Sequence, residues 1–129
     1  MERVVLNSKL HRLHVTQVEL DYEGSCAFDT DFIKAAKMTE YERVEIYNVT
    51  NGERFSTYLI AAEAGSKTVS INGAAAHKAN PNDIIIICSY ISMTEGEISD
   101  HSPTLVYFNE SNKIVDTKSS IPTQRLRSL

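Results

Sequence analysis

The sequence predicts a mainly β fold, a small barrel with two short helical insertions, on three observations. Turn signals recur along the chain at Asn51-Gly52, "AGSK" (64–67), Asn72-Gly73, "NPND" (80–83) and "TEGE" (94–97), so the elements between them must be short. The segments they bound are rich in β-branched and apolar residues without a clean helical period. A chain of 129 residues can bury one ordinary hydrophobic core, so 1–129 is read as a single domain.

In order, "VVLNSKLHRLHVTQVEL" (4–20) reads as one or two strands. "TDFIKAAKM" (30–38) offers Thr30 or Asp31 as an N-cap and apolar residues at helical spacing, the first helical insertion. "RVEIYNV" and "RFSTYLIAA" flank Asn51-Gly52, a pair suited to the positive φ angles of a tight turn, and are expected as a hairpin. "KTVSI" (67–71) and "DIIIICSYISM" (83–93) follow as strands, the latter buried on both faces in its first half. "GAAAHKA" (73–79) between them reads as a short helix or coil. The polar, mildly basic end of the chain has no packing period and is expected as a flexible tail over about 113–129.

Composition excludes several classes. With 42% apolar and 23% charged residues and a formal charge of −4, the chain has no basic field to attract nucleic acid. Its longest apolar run, "IIIIC" (84–88), is far below a membrane span, and the N-terminus carries no signal-like apolar block; a cytoplasmic protein without membrane partners is expected. Cys26 and Cys88 are too far apart to suggest a zinc pair and are read as reduced thiols; no metal is implied. "NVT" and "NES" match the glycosylation pattern only by chance if the chain is not secreted.

The chemistry centres on "DYEGSCAFDTDF" (21–32), where Gly24, Ser25 and Cys26 stand between a strand-like run and a helix start. One reading is a plain turn, which Gly-Ser pairs commonly make. The other is a self-cutting bond. A serine hydroxyl lies near the carbonyl carbon of the preceding peptide, so an N→O acyl shift needs only strain and an oxyanion donor, and Gly24 can take backbone conformations closed to other residues. The ester can then break by β-elimination, leaving dehydroalanine that hydrolyses to a pyruvoyl group with loss of ammonia.

Four stretches in register bear on that choice: "KLHR" (9–12), "YEGSC" (22–26), "NGERFSTY" (51–58) and "INGAAAH" (71–77). Together they resemble the pyruvoyl-dependent aspartate 1-decarboxylases of bacteria, from Met1 to about Phe108, with the tail outside. Phe28 and Tyr47 sit where other hydrophobic residues are usual in that family. The resemblance implies a precursor that cuts itself between Gly24 and Ser25 into a β-chain (1–24) and an α-chain (25–129), Ser25 becoming the pyruvoyl cofactor. It also implies a double-psi β-barrel, a homotetramer with sites between subunits, L-aspartate as substrate and β-alanine for pantothenate biosynthesis as product, with a maturation helper protein in some members.

Residue roles follow from the same resemblance. Ser25 supplies the ketone that condenses with the substrate amine, an electron sink that no ordinary side chain provides. Tyr58 returns the proton to the α-carbon, and a phenol keeps its proton at neutral pH. Thr57 donates to the oxyanion during self-cleavage and contacts substrate. Arg54 and Lys9 hold the substrate carboxylates, for which a guanidinium fork is well shaped. Asn72, Gly73, Ala74 and Ala75 form a loop lining the pocket, with His11 and Tyr22 supporting the processing site. Read without the resemblance, Lys9 and Arg54 are solvated strand-end charges, Tyr58 a rim aromatic, and Asn72-Gly73 a turn. Cys26 is read as a small buried residue. Arg54, Ser56 and Tyr58 share one face of a flat strand and Thr57 the other, so a bulge, a strand end or an interface must bring both faces to one site. Two alternatives stay open: a non-catalytic barrel that binds an anion, and a decarboxylase of a related acidic amino acid.

Overall fold

The computed structural model describes residues 1–127. The fold is mainly β. Its strands are β1 (Glu2–His14), β2 (Gln17–Glu19), β3 (Cys26–Asp29), β4 (Arg43–Asn48), β5 (Arg54–Ala62), β6 (Val69–Asn72), β7 (Ile84–Thr94), β8 (Thr104–Phe108) and β9 (Ile114–Lys118). Helices α1 (Thr30–Ala35) and α2 (Glu95–Ile98) and a 3-10 helix over Gly73–Lys78 complete it. The strands hydrogen-bond in the order β2-β6-β3-β5-β4-β7-β1-β8-β9, with β1–β8, β2–β6 and β3–β5 parallel and the other pairs antiparallel. The ladder runs from β2 to β9 without closing. It curls nonetheless, because Ile71 of β6 near one end and Val106 and Phe108 of β8 near the other join Leu10, Phe28, Ile46, Leu59, Ile85 and Ile87 in one buried core. Burying each such side chain contributes about 1.5–3 kcal/mol.

The expected hairpin is present: β4 and β5 pair antiparallel through Asn51-Gly52, and Gly52 takes φ +79°. The single strand-like run 4–20 divides into β1 and β2. A bulge between His11 and Leu13, with Arg12 at φ 68°, shifts the alternation of β1 so that Leu10 and Leu13 both point into the core. In β7, Ile85 and Ile87 are fully buried while Ile84 and Ile86 are half-buried.

The structure differs from the sequence-based expectation at two places. The cap of α1 is Asp29, not Thr30 or Asp31. Its buried carboxylate accepts from Asp31 N (2.8 Å), Gly65 N (3.1 Å) and Lys67 N (2.8 Å), so one side chain both starts the helix and ties the β5–β6 loop. The tail begins later than expected, since Ile114–Lys118 forms β9 against β8 (Leu105↔Lys118 to Phe108↔Ile114). Every β9 side chain is exposed. A strand with no buried side chain leaves no burial period to read. Residues 119–127 form no helix or strand; the last two residues of the expected tail lie outside the described residues.

Candidate active site

β3 enters the sheet at Cys26 with β5 on one side (Cys26↔Leu59, parallel) and β6 on the other (Cys26↔Ile71, antiparallel). The two residues before it, Gly24 and Ser25, therefore abut the stretch of β5 just before Leu59, namely Thr57 and Tyr58. Gly24 has φ +39° and Ser25 φ +80°, two successive residues in the left-handed region. For a serine that conformation is strained, and strain of this kind at a defined site is held by its surroundings. The surroundings are visible: Gly24 N donates to Tyr22 O (2.8 Å), and Asn72 N donates to Ser25 O (3.0 Å). Ser25 is buried, and its Oγ has no hydrogen-bond partner among the described residues.

A cavity of about 390 Å³ opens beside this turn, lined by Gly24, Ser25, the edge of β5 from Phe55 to Tyr58, Asn72, Ala74, Ala75 and Lys78. The face problem of β5 is settled by that edge. β4 pairs with β5 from Arg54 to Tyr58, whereas β3 covers its other side only from Leu59 onward. Residues 55–58 thus present a free strand edge, and an edge shows side chains of both faces. Tyr58 reaches over the turn; a Cβ on Gly24 would meet Tyr58 Oη at 3.6 Å. Gly73, φ +63°, packs its Cα directly on the Gly24 backbone. Ser70 Oγ donates to Asn72 Oδ1 (2.7 Å), both residues being buried, which turns the Asn72 NH₂ away from Ser70. Cys26 is fully buried with Sγ donating to Tyr58 O (3.5 Å), and burial pushes its thiol far up, so it fills space.

One chain thus brings together Gly24, Ser25, Thr57, Tyr58, Asn72, Gly73, Ala74 and Ala75. Tyr22 lies beside them, exposed, lining a neighbouring 270 Å³ cavity that shares Asn72. Lys9, His11 and Arg54 are elsewhere. Register places Tyr107, His11, Ile86, Tyr47 and Arg54 in one row across the outer face of the sheet. Arg54 stacks on the Tyr47 ring (guanidinium carbon 4.0 Å from the centroid), and the Tyr47 and Tyr90 hydroxyls are 2.6 Å apart. Lys9 Nζ lies 5.8 Å over the Tyr107 ring, and His11 meets that ring edge-on at 5.1 Å. Burial, then the charges of Lys9 and Arg12, hold the His11 imidazole below its ordinary pKa. Burial, then the bond to Tyr47, pushes the Tyr90 phenol up. Burial likewise raises the Cys88 thiol, against the pull of Tyr90, Lys9 and Arg54.

The sequence reading missed Phe55, Ser56 and Lys78. Lys78 closes the 3-10 helix, in a stretch read only as short helix or coil, and no motif marked it. Among the described residues, no three His, Cys, Asp or Glu side chains gather as a metal site.

A family model described as Aspartate decarboxylase matches residues 1–115. The match runs past Phe108, where the resemblance was expected to end. The chain is 53% identical to the aspartate 1-decarboxylase of Methylobacillus flagellatus and 54% identical to that of Tolumonas auensis, each over 96% of this chain and 98% of the relative. It is 51% identical, with the same coverage, to the aspartate 1-decarboxylase of Alcanivorax borkumensis. It also aligns with a computationally designed protein, msDPBB_sym2, at 14% identity and a TM-score of 0.44, over 66% of this chain and 96% of that one. A family match that spans every residue lining the Ser25 cavity, and relatives more than half identical along nearly their whole length, place this chain in the aspartate decarboxylase family.

Proposed function

We infer that the protein is a pyruvoyl-dependent aspartate 1-decarboxylase that cuts itself between Gly24 and Ser25 and converts L-aspartate to β-alanine and carbon dioxide for pantothenate biosynthesis. The observation that carries this reading is the Ser25 turn: a buried, unpartnered hydroxyl on a residue at φ +80°, beside a cavity in a chain of this family. An Oγ that no described residue hydrogen-bonds is free to add to the Gly24 carbonyl carbon. The Ser25 nitrogen then leaves that carbon, giving an ester and a free amine. Loss of the Ser25 α-proton expels the Gly24 carboxylate, which ends the 1–24 chain, and leaves dehydroalanine at residue 25. Water adds, ammonia departs, and a ketone heads the 25–129 chain. Thr57, on the adjoining strand edge, is the residue assigned to donate to the developing oxyanion.

The site suits the resulting group. Gly73 leaves room where a side chain would collide, and Asn72 N holds the carbonyl that would be conjugated with the ketone. When formed, the pyruvoyl ketone supplies the sink for the electron pair released with carbon dioxide. Tyr58, whose hydroxyl stands by Gly24, is placed to return a proton to the substrate carbon. Asn72 and the backbone at Ala74 and Ala75 line the cavity for carboxylate or carbonyl oxygens. Lys9 and Arg54 do not line it within one chain. A homotetramer of double-psi β-barrels with sites between subunits, as the family implies, allows their face to close over the cavity of a neighbouring copy. No helix among the described residues is long and apolar enough to cross a membrane, and a cytoplasmic location fits this reading. Neither the anion-binding module nor a different acidic substrate is favoured.

The test is to incubate the matured protein with L-aspartate and with L-glutamate. Equimolar carbon dioxide and β-alanine from aspartate alone supports the reading, and no carbon dioxide from a fully matured sample refutes it. Light scattering on the same sample tests the tetramer, and adding cell extract to a slow-cleaving sample tests the need for a helper protein.

A further inference from the structure

We propose that Lys78 is a specificity-determining cation of this site, exchanging its partner Glu53 for a carboxylate of the bound dicarboxylate; the proposal rests on the decarboxylase reading above for the identity of that ligand. Among the described residues that line the Ser25 cavity, Lys78 has the one charged side chain; the others are glycine, alanine, hydroxyl, amide or aromatic. A ligand with two carboxylates entering such a neutral pocket loses hydration that neutral donors restore in part and a cation restores more fully. Arg54 and Lys9, which would serve, are not among the residues that line this cavity in the same chain, so Lys78 is the cation that each subunit brings to its own cavity.

Its mounting suits exchange. The Lys78 carbonyl accepts from Asn48 Nδ2 (3.1 Å) and Asn51 Nδ2 (3.0 Å), two amides of the β4–β5 turn. Asn48 is itself buried and also donates to Asp83 Oδ2 (2.9 Å), so the backbone at Lys78 is fixed. The side chain is not. Its Nζ reaches Glu53 Oε2 at 3.1 Å, and the two side chains are 47% and 45% exposed. A solvated pair of this kind contributes little and is screened by salt, so a competing carboxylate can replace Glu53 at small cost. Four methylenes let Nζ swing between the two partners about an anchored Cα, which a stiffer guanidinium fork would do less readily. Glu53 is then a competitor whose removal has the opposite sign to removal of Lys78.

Succinate, a dicarboxylate without the amine, is titrated calorimetrically into the full chain, with butyrate as the single-carboxylate control. Lys78→Met is expected to weaken succinate about fivefold while leaving butyrate unmoved, Lys78→Arg to restore most of the loss, and Glu53→Gln to tighten succinate about twofold to threefold. With L-aspartate turnover, the Lys78→Met loss falls on KM rather than kcat. Equal succinate affinity in wild type and Lys78→Met, or a Glu53→Gln shift in the same direction as Lys78→Met, overturns the proposal. If Lys78→Met fails to fold, Glu53→Gln alone decides. Failure of the decarboxylase reading would appear as absent carbon dioxide from the wild type, a result independent of succinate binding.

Discussion

A Cβ placed on Gly73 would lie 2.7 Å from Gly24 Cα and 2.8 Å from Gly24 N, so the loop after β6 and the segment proposed to be cut are in backbone contact. Gly73 also has φ +63°, a conformation that costs a side-chain-bearing residue roughly 1 kcal/mol or more. Gly73→Ala must displace the scissile turn as well as strain its own backbone. The expected outcome is a stability loss of about 2–4 kcal/mol in urea unfolding and cleavage slowed at least about tenfold. Gly52→Ala is the control: Gly52 has φ +79° but nothing within 4 Å of its added Cβ, so it carries only the backbone cost and cleaves at the wild-type rate.

Ser70 directs Asn72. Its Oδ1 accepts from the buried Ser70 hydroxyl at 2.7 Å, a contact that holds the Asn72 side chain in place. Ser70→Ala releases that constraint, and cleavage is expected to slow about threefold to tenfold with a stability loss near 1 kcal/mol. Ser70→Thr, which keeps a hydroxyl on a β-compatible side chain, should recover most of the rate. Mass spectrometry against time distinguishes the three proteins.

Asp29 joins three backbone N–H groups from two segments. Asp29→Ala removes the helix cap and strands the Gly65 and Lys67 amides, for an expected loss of about 2–4 kcal/mol in the urea transition. A loss below about 1 kcal/mol would mean that water replaces the carboxylate there.

What the sequence made legible depended on local chemistry. Asn51-Gly52 between two apolar runs specifies a hairpin by itself, and β4 and β5 are where that pair puts them. β3 escaped notice because Cys26–Asp29 is four residues long and ends in the cap of a helix, so its apolar residues read as the helix approach. β9 escaped because Ile114–Lys118 is exposed on every residue. The site divides in the same way. Ser25, Tyr58 and Asn72 fall in one cavity because β3 lies between β5 and β6, a pairing of distant segments that motif order suggested only through family resemblance. Lys9 and Arg54 carry equally clear motifs, yet neither lines that cavity in one chain: Arg54 lies against Tyr47 and Lys9 over Tyr107, further along the sheet. Lys78 had neither a motif nor a period to mark it.

His11 gives the fold a pH dependence of known sign. Burial, with Lys9 and Arg12 adding to it, depresses the native imidazole below the ordinary value of 6.5, so the unfolded chain takes up a proton that the folded chain resists. Stability from this group is complete above that ordinary value and is lost as the pH falls through it toward the depressed native value. Urea midpoints at about pH 7.5 and about pH 5 should therefore fall further in the wild type than in His11→Gln. Equal falls in the two proteins would contradict the shift.

The most direct measurement is the intact mass of the purified, denatured protein, taken before and after treatment with a carbonyl-reactive hydrazine. Self-cleavage predicts two chains that meet at Gly24–Ser25, with only the larger one gaining the mass of a hydrazone, while Ser25→Ala remains one full-length chain. A single full-length wild-type chain that gains no hydrazone, even after prolonged warming with cell extract, would contradict the assignment of Ser25 as the source of the cofactor.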